Sequence, residues 1–202
     1  PKHFIETVDD AVSLPYANAS LPNEVEAFLA QGSTVALNVT LYTADTEEKR
    51  AFLAHFAEDI MREHDVNMIF VSHAPRDLFN LFVIYDMLDN HLKNRVLIPD
   101  TRLWRDNAVK KMISQCVVAV GGRYHFIVFA GTSNVPFVGM CGNHYSYIKQ
   151  DGFARPLGLS DFILSEKATW DMDVLKAAFE CALSTKLKIS KMFPNPSESM
   201  KL

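Results

Sequence analysis

The sequence predicts an α/β protein with a doubly wound parallel sheet and helices on both of its faces. Short apolar runs alternate along the chain with longer segments in which apolar residues recur every three or four positions, which is the rhythm of strands followed by helices. The strand segments are unbroken apolar runs that do not alternate with polar residues. Such runs are typical of strands buried on both faces, as in a parallel sheet between two layers of helices.

The first predicted strand spans residues 34–39, an apolar run rich in β-branched residues that follows Gly32 and Ser33. The next segment, residues 46–64, predicts an amphipathic helix, because its apolar residues have helical spacing and Asp45 or Thr46 can cap its start. The same alternation continues with strands at 67–71, 95–98, 116–120, 135–139 and 162–164, and with helices at 77–92, from 101 or 102 to 115, at 124–132 and at 171–188.

The domain organisation follows from where this alternation begins and ends. No linker interrupts it, so we predict one domain over residues 31–190. Residues 1–30 carry two Leu-Pro steps around polar residues, with a possible short helix at 24–30, and we interpret them as a connector from a preceding N-terminal domain. Residues 191–202, with two prolines and two serines, predict a loose tail or a strap onto a neighbouring domain.

Composition excludes several classes of protein. Charged residues make up 22% of the chain and the net charge is -4, so the basic surface that nucleic-acid binding requires is missing. Three cysteines are too few for a disulfide framework or a metal cage, which favours a reducing, cytoplasmic location. No apolar run approaches the ~20 residues of a membrane-spanning helix. The sequence leaves the oligomeric state open.

The segment Gly-Gly-Arg-Tyr-His, residues 121–125, directly follows the predicted strand at 116–120. Ligands of open parallel sheets bind at the carboxyl ends of the strands, where helix N-termini attract anions. Gly121 and Gly122 would let the backbone approach a ligand closely. Arg123 supplies a forked cation that matches phosphate or carboxylate, and His125 an imidazole that can exchange a proton. The segment therefore predicts an anion site, although capping or surface roles for this pair remain the alternative.

A second candidate segment, residues 139–149, follows the next strand and is rich in polar and aromatic residues. We interpret it as a loop in which Asn143, His144, Tyr145 and Lys149 lie beside the first site. A solvated turn with a short helix is the alternative. Two adjacent strand ends of this kind predict a cationic pocket with many hydrogen-bonding groups.

Other polar residues also follow predicted strands. Asn38 and Thr40 close the first strand and His73 follows the second, so all three are expected near the same crevice. A helix-capping turn is the alternative for His73. Trp104 and Trp170 are interpreted as packing residues.

Residues 113–159 resemble the C-terminal part of the polysaccharide pyruvyl transferase family. In that family an Ile-Ser step precedes an apolar strand, then an Arg-x-His pair, a helix with Phe-Ala, and a strand closing on Gly-x-Pro-x-Ile/Val-Gly. The matching positions are Ile113-Ser114, Arg123, His125, Phe129-Ala130 and residues 135–139. The sequence departs from the pattern in Gly121-Gly122, in Tyr124 between Arg123 and His125, and in the more polar cluster at 143–145. These departures affect the expected substrate more than the expected reaction.

The resemblance implies two facing doubly wound domains similar to the glycosyltransferase B architecture, with this chain as the C-terminal one. It also implies transfer of pyruvate from phosphoenolpyruvate to two hydroxyls of a sugar or polysaccharide, which leaves a cyclic ketal. Arg123 and His125 would act on the donor, without a metal or a further cofactor. The expected substrate-binding residues are Gly122, Tyr124, Asn143, His144, Tyr145, Lys149, His73 and Asn38.

Other functions stay open on the sequence. A glycosyltransferase or sugar-nucleotide epimerase would have the same architecture, but no acidic residue is evident after the anion segment to bind a ribose. A dinucleotide oxidoreductase is disfavoured, because no Gly-x-Gly-x-x-Gly links a strand to a helix. A non-catalytic module that binds anions or sugars is the remaining alternative.

Overall fold

The structure is a computed structural model that describes residues 10–101 and 104–185. Its centre is a six-stranded sheet in the order β3-β2-β1-β4-β5-β6, in which every neighbouring pair is parallel. The strands are β1 Thr34–Asn38, β2 Asn67–Phe70, β3 Val96–Leu97, β4 Val118–Gly121, β5 Phe137–Met140 and β6 Ile163–Leu164. The predicted fold class, a doubly wound parallel sheet, is confirmed.

The helices connect the strands and cover the sheet. They are α1 Asp10–Ser13, α2 Asn23–Leu29, α3 Glu47–His64, α4 Pro75–Met87, α5 Asp106–Ile113, α6 Tyr124–Thr132, α7 His144–Ala154, α8 Glu166–Thr169 and α9 Met172–Ser184. Short 3-10 turns follow several elements, at Leu41–Thr43, Lys93–Arg95, Arg155–Leu157 and Ser160–Phe162.

Two apolar cores lie on opposite faces of the sheet. Along β1, Val35 and Leu37 pack into the core beneath α3, α4 and α9, whereas Ala36 between them packs into the core beneath α5, α6 and α7. All five residues of β1 are buried. Unbroken apolar strands therefore correctly indicated helices on both faces.

The strand order reverses between β1 and β4. The chain runs outward from β1 through β2 to β3, then crosses back to pair β4 with the other edge of β1, so that Asn38 lies opposite Gly121. The loops after these two strands diverge to opposite faces of the sheet. Such a topological switch point opens a crevice at the carboxyl ends of the strands, which is where ligands of this fold class bind.

Several element boundaries agree with the predictions. Helix α6 has its predicted limits, and α3 begins one residue later than predicted because Thr46 is its N-cap and accepts a hydrogen bond from the Lys49 N–H at 3.3 Å. The helix predicted at 24–30 corresponds to α2.

Other boundaries were wrong. Helix α4 starts at Pro75, a residue suited to the first turn, and ends at Met87 because Leu88 adopts an extended conformation. The helix predicted up to 115 is shorter, since α5 spans only Asp106–Ile113; position 102, one of its proposed starts, lies outside the described residues. Positions 186–188 of the last predicted helix and the tail at 191–202 also lie outside them.

The described part of the N-terminal segment packs against the domain. Apolar side chains of α1, α2 and the turn between them join the core beneath α6, and these are Val12, Leu21, Val25 and Phe28. Lys110 of α5 is buried and donates hydrogen bonds from Nζ to the carbonyls of Ala11 and Val12 at 3.2 and 3.3 Å. Burial lowers the pKa of this lysine to about 8. That a further domain precedes this segment stays a prediction.

Candidate functional site

Arg123 lies at the switch point, directly after β4, and its guanidinium is bound to Asp77 of α4. Nε donates to Oδ2 at 3.0 Å and Nη2 donates to Oδ1 at 2.7 Å, so the pair is bidentate. The Asp77 side chain is fully buried, whereas 38% of the Arg123 side chain is exposed. The carboxylate therefore holds one edge of the guanidinium while the remainder of the side chain reaches solvent.

Asp77 is a residue that the sequence analysis missed. Its Oδ2 also accepts a hydrogen bond from the His73 N–H at 3.2 Å, so it joins the loop after β2 to the loop after β4. An acidic residue in the first turn of a helix is ordinarily read as a favourable dipole contact. Asp77 differs from such a residue only because it is buried and binds Arg123, which is 46 residues away in the sequence.

Asn38, the last residue of β1, also connects the loop after β2 to the loop after β4. Its Oδ1 accepts the Arg123 N–H at 3.0 Å, and its Nδ2 donates to the Val71 carbonyl at 2.7 Å. The residue is completely buried. Both ends of the amide are used inside the protein, so Asn38 fixes the start of α6 and the end of β2. We call Asn38, His73, Asp77 and Arg123 the switch-point cluster.

His73 is partly buried, and its ring lies among aromatic side chains, 6.0 Å from Phe126 and 6.2 Å from Phe129 between centroids. Desolvation lowers its pKa to about 4, with smaller effects from the charges of Arg123 and His125. Its Nδ1 faces the Asn38 Nδ2 donor at 3.4 Å, so the proton of the neutral ring lies on Nε2. That atom is shielded from solvent and has no hydrogen-bond partner in the described part of the chain.

His125 and Tyr124 occupy the first turn of α6. His125 is exposed, Tyr124 is partly buried, and their ring centroids are 5.4 Å apart. Since the charges of Arg123 and His125 both act on His73, the structure brings these three predicted site residues together at one edge of the sheet.

The two glycines of the segment are explained by the protein's own packing. A Cβ at Gly121 would lie 2.6 Å from Phe126 Cδ1 and 2.9 Å from Asn38 Cβ, and one at Gly122 would lie 2.9 Å from Thr40 Cγ2. Neither glycine has a positive φ. Their small size lets the loop sit against β1, and this is a different reason from the close approach to a ligand that the sequence suggested.

The segment at 139–149 is not the predicted loop, because α7 begins at His144. Asn143 is its N-cap: Oδ1 accepts from the Ser146 N–H at 2.8 Å, and Ser146 Oγ accepts from the Asn143 N–H at 3.3 Å. This reciprocal pair is a capping box formed with a serine, which the sequence analysis did not recognise. The alternative reading, a turn with a helix, was the better one.

Helix α7 carries contacts to both candidate regions. Lys149 Nζ lies 5.1 Å from the ring centre of Tyr124 and 5.5 Å from that of Tyr145, and Gln150 Nε2 donates to the Gly122 carbonyl at 2.9 Å. Gln150 was missed by the sequence analysis. His144, in the first turn of the helix, lines a hollow between α7 and α8. Tyr145 is 70% exposed.

The hollows on the described surface include one of about 560 Å³ between residues 18–22 and the start of α5, and another of about 590 Å³ between α7 and α8. Neither is lined by Arg123 or His125. Both hollows are therefore separate from the switch-point cluster, in which Arg123 is partly exposed on a buried support.

One group of acidic and histidine side chains among the described residues has the spacing of a metal site. It consists of Glu63, His64 and Glu180, at the end of α3 and on α9. The end of α3 leads into the start of β2, so this group lies at the opposite edge of the sheet. Lys176 already contacts Glu63 at 2.5 Å and Asp59 at 3.4 Å, which neutralises part of the negative charge.

The architecture and the switch-point cluster define a doubly wound α/β domain with a guanidinium fixed by a buried carboxylate at the carboxyl edge of its sheet. A family model for polysaccharide pyruvyl transferase matches residues 3–145 of this chain. The match covers most of the chain, and the chain belongs to the polysaccharide pyruvyl transferase family. The family is one of transferases. No curated protein sequence gives a significant match.

Solved structures of similar fold include the UDP-GlcNAc 2-epimerase of Methanocaldococcus jannaschii, with a TM-score of 0.61 and 16% identity over 82% of this chain. A second structure of that enzyme, in complex with UDP-GlcNAc and UDP, gives a TM-score of 0.61 at 17% identity. The chain spans 44% and 43% of these two proteins. At such identities the likeness concerns the fold alone. Among the described helices, none combines the length and apolar character that crossing a membrane requires.

Proposed function

We propose that the protein transfers pyruvate from phosphoenolpyruvate to hydroxyls of a sugar in a polysaccharide or glycan precursor and so forms a pyruvate ketal. The observation that carries this proposal is the guanidinium of Arg123, held by buried Asp77 beside His125 at the switch point of the sheet. Membership of the family supports the reaction class.

The donor carries a carboxylate and a phosphate, which both need fixed donors of hydrogen bonds. Arg123 binds one of these groups with the edge of its guanidinium that Asp77 leaves open. The first N–H groups of α6 assist, because a helix N-terminus attracts anions. Lys149, whose ammonium lies over Tyr124, provides a second positive charge on the adjacent helix.

His125 acts as the acid. As an imidazolium it gives a proton to the methylene carbon of the donor, which leaves the adjacent carbon electrophilic. A sugar hydroxyl adds to that carbon and its proton returns to the imidazole of His125. The bond from that carbon to the phosphate oxygen breaks, and a second hydroxyl closes the ketal while its proton passes to the departing phosphate. A positioned acid of this kind contributes about 10²- to 10⁴-fold in rate. His73 is neutral and partly buried, and it supports the cluster.

The proposal requires no resident metal or cofactor, and phosphoenolpyruvate is the second substrate. Asn143 and Gln150 hold α7 in position, whereas His144, Tyr145 and Lys149 are the groups of this helix that are exposed to ligands. We also propose a cytoplasmic location, where reduced thiols are stable.

The test is phosphate release from phosphoenolpyruvate in the presence of a sugar acceptor, measured on the full-length protein. His125→Ala is expected to abolish release while the thermal shift caused by phosphoenolpyruvate is largely kept, because the imidazole supplies the proton and Arg123 supplies the binding. His55→Ala is the matched control, since His55 is an exposed histidine of α3.

Retained turnover in His125→Ala would refute the role of this residue. A thermal shift with uridine diphosphate and none with phosphoenolpyruvate would refute pyruvyl transfer and favour a sugar-nucleotide enzyme.

A further inference from the structure

The hollow of about 590 Å³ between α7 and α8, which we call the α7–α8 hollow, is not part of the proposed donor site. It opens where β5 and β6 end, on the same edge of the sheet as Arg123. Its volume lies within the range of ~300–1,000 Å³ that is usual for small-molecule sites. Its walls are formed by His144, Tyr147, Ser165, Glu166, Lys167 and Trp170.

Trp170 forms a fixed aromatic wall of this hollow. Phe52 packs edge-on against it, with ring centroids 5.5 Å apart at 73°, and Lys49 Nζ lies 5.1 Å from the ring centre. Lys49 is in turn held by Asp45 at 2.8 Å and by the Tyr42 carbonyl at 3.2 Å. The indole is partly exposed and lines the hollow, so it is a platform for the apolar face of a ligand.

The polar groups of the hollow balance in charge. Glu166 and Lys167 are adjacent and exposed, and they carry opposite charges. His144 and Tyr147 add an imidazole and a phenol that can donate or accept hydrogen bonds. A site for a phosphate would have an excess of cations, whereas an aromatic wall with paired donors and acceptors suits a neutral molecule with several hydroxyls. The chemistry is that of a sugar ring.

The hollow adjoins the proposed donor site through α7. His144 and Tyr147 project from this helix into the hollow, whereas Gln150 of the same helix bonds to the Gly122 carbonyl beside Arg123. The two sites therefore share α7, since Gln150 follows Tyr147 by one helical turn. A hydroxyl of a sugar bound in the hollow, or of the next ring of the same glycan, can extend toward the anion site.

We propose that the α7–α8 hollow is a sugar-binding subsite in which a pyranose ring stacks on Trp170 and hydrogen-bonds to Glu166 and Lys167. The assignment of this ring as the acceptor rests on the proposed function, whereas the binding of a sugar does not. Trp170, which the sequence suggested to be a packing residue, then has a second role as the wall of this site.

The test uses the fluorescence of Trp170 in a Trp104→Phe background, which leaves it as the single tryptophan of the chain. The full chain is titrated with methyl glycosides of galactose, glucose and mannose, and separately with inorganic phosphate. At least one glycoside is expected to give a saturable change with a Kd of about 1–10 mM, as is usual for a single small neutral ring bound with ~3–4 kcal/mol.

Glu166→Gln is expected to weaken that binding about tenfold, because it removes the charged acceptor of a hydrogen bond. The matched control is Glu24→Gln, an exposed glutamate in the first turn of α2, which is expected to bind the glycoside unchanged. Trp170→Ala, followed by calorimetry, is expected to abolish binding. Glu166 is exposed, so its variant tests the site without disturbing the core.

The absence of a saturable response to all three glycosides would overturn the inference, as would equal binding by the Glu166→Gln variant or tighter binding of phosphate than of any glycoside. The thermal shift with phosphoenolpyruvate is measured on the same samples. Sugar binding without a shift would support the subsite and refute pyruvyl transfer, and a shift without sugar binding would do the reverse.

Discussion

The switch-point cluster and the α7–α8 hollow lie on the same edge of the sheet but are built in opposite ways. In the cluster, buried Asp77 and Asn38 bond to Arg123, so the polar groups are fixed before any ligand arrives. In the hollow, Glu166 and Lys167 are exposed and Trp170 supplies the fixed wall. The cluster has fixed polar groups but little space for a ligand. The hollow has space, and its polar groups can change conformation. The proposed reaction, with a small anionic donor and a larger neutral acceptor, requires both.

The largest effect on stability is expected when the support of the cluster is removed. Asp77→Ala leaves Arg123 and the His73 N–H without their carboxylate, and it should lower the free energy of unfolding by about 2–4 kcal/mol. This is below the usual cost for a fully buried pair, because Arg123 is partly exposed. Urea denaturation measures it. Asp59→Ala, which breaks an exposed contact with Lys176, should cost under about 0.5 kcal/mol, and equal losses in the two variants would contradict the buried support.

The cluster should also make stability depend on pH through His73. Its pKa is about 4 in the folded protein and near 6.5 when unfolded, so the unfolded chain binds a proton first as pH falls. The free energy of unfolding should therefore drop by about 2–3 kcal/mol between pH 6.5 and pH 4 on account of this residue. Comparison with His73→Gln isolates the effect, since the variant lacks that titration. Parallel pH profiles for the two proteins would show that His73 is not desolvated.

Smaller effects should distinguish the glycine of the cluster from a glycine of α7. Gly121→Ala puts a Cβ 2.6 Å from Phe126 and should lower the free energy of unfolding by about 1–3 kcal/mol. Gly152→Ala, in the helix beside the hollow, meets no atom within 4 Å and should raise it by about 0.5–1 kcal/mol. Thermal melts of both variants show whether each substitution stabilises or destabilises the protein. If Gly121→Ala is neutral, the loop after β4 is not held against β1 as described.

The layers of the fold could be predicted from the sequence because they depend on local patterns. Unbroken apolar strands indicated a sheet covered on both faces, and helical spacing gave α3 and α6 almost at their limits. Helix α7 was mistaken for a loop, because its apolar residues are few and its capping box uses Ser146 in place of a glutamate or glutamine. The observed strand ends differ from the predicted ones by one or two residues, because hydrogen bonding to neighbouring strands determines where a strand begins and ends.

The candidate site could be predicted only in part. Arg123, His125 and His73 each follow a strand, and parallel strands end at one edge, so their proximity follows from topology. Asp77 and Gln150 could not be found in this way, because each acts through a partner that is distant in sequence. The packing role of the glycines was also missed, because their neighbours are Phe126, Asn38 and Thr40, which only the packed structure reveals; the close approach of a ligand stays a prediction.

The central claim is that Arg123, held by Asp77, binds the anionic donor. Calorimetric titration of phosphoenolpyruvate into the protein and into Arg123→Ala tests it most directly, with the exposed Arg76→Ala as control. Loss of a charged hydrogen-bond partner costs ~2–5 kcal/mol, so affinity should fall by about 30-fold or more in Arg123→Ala and stay unchanged in Arg76→Ala. Equal affinity of the protein and Arg123→Ala for phosphoenolpyruvate would contradict the account.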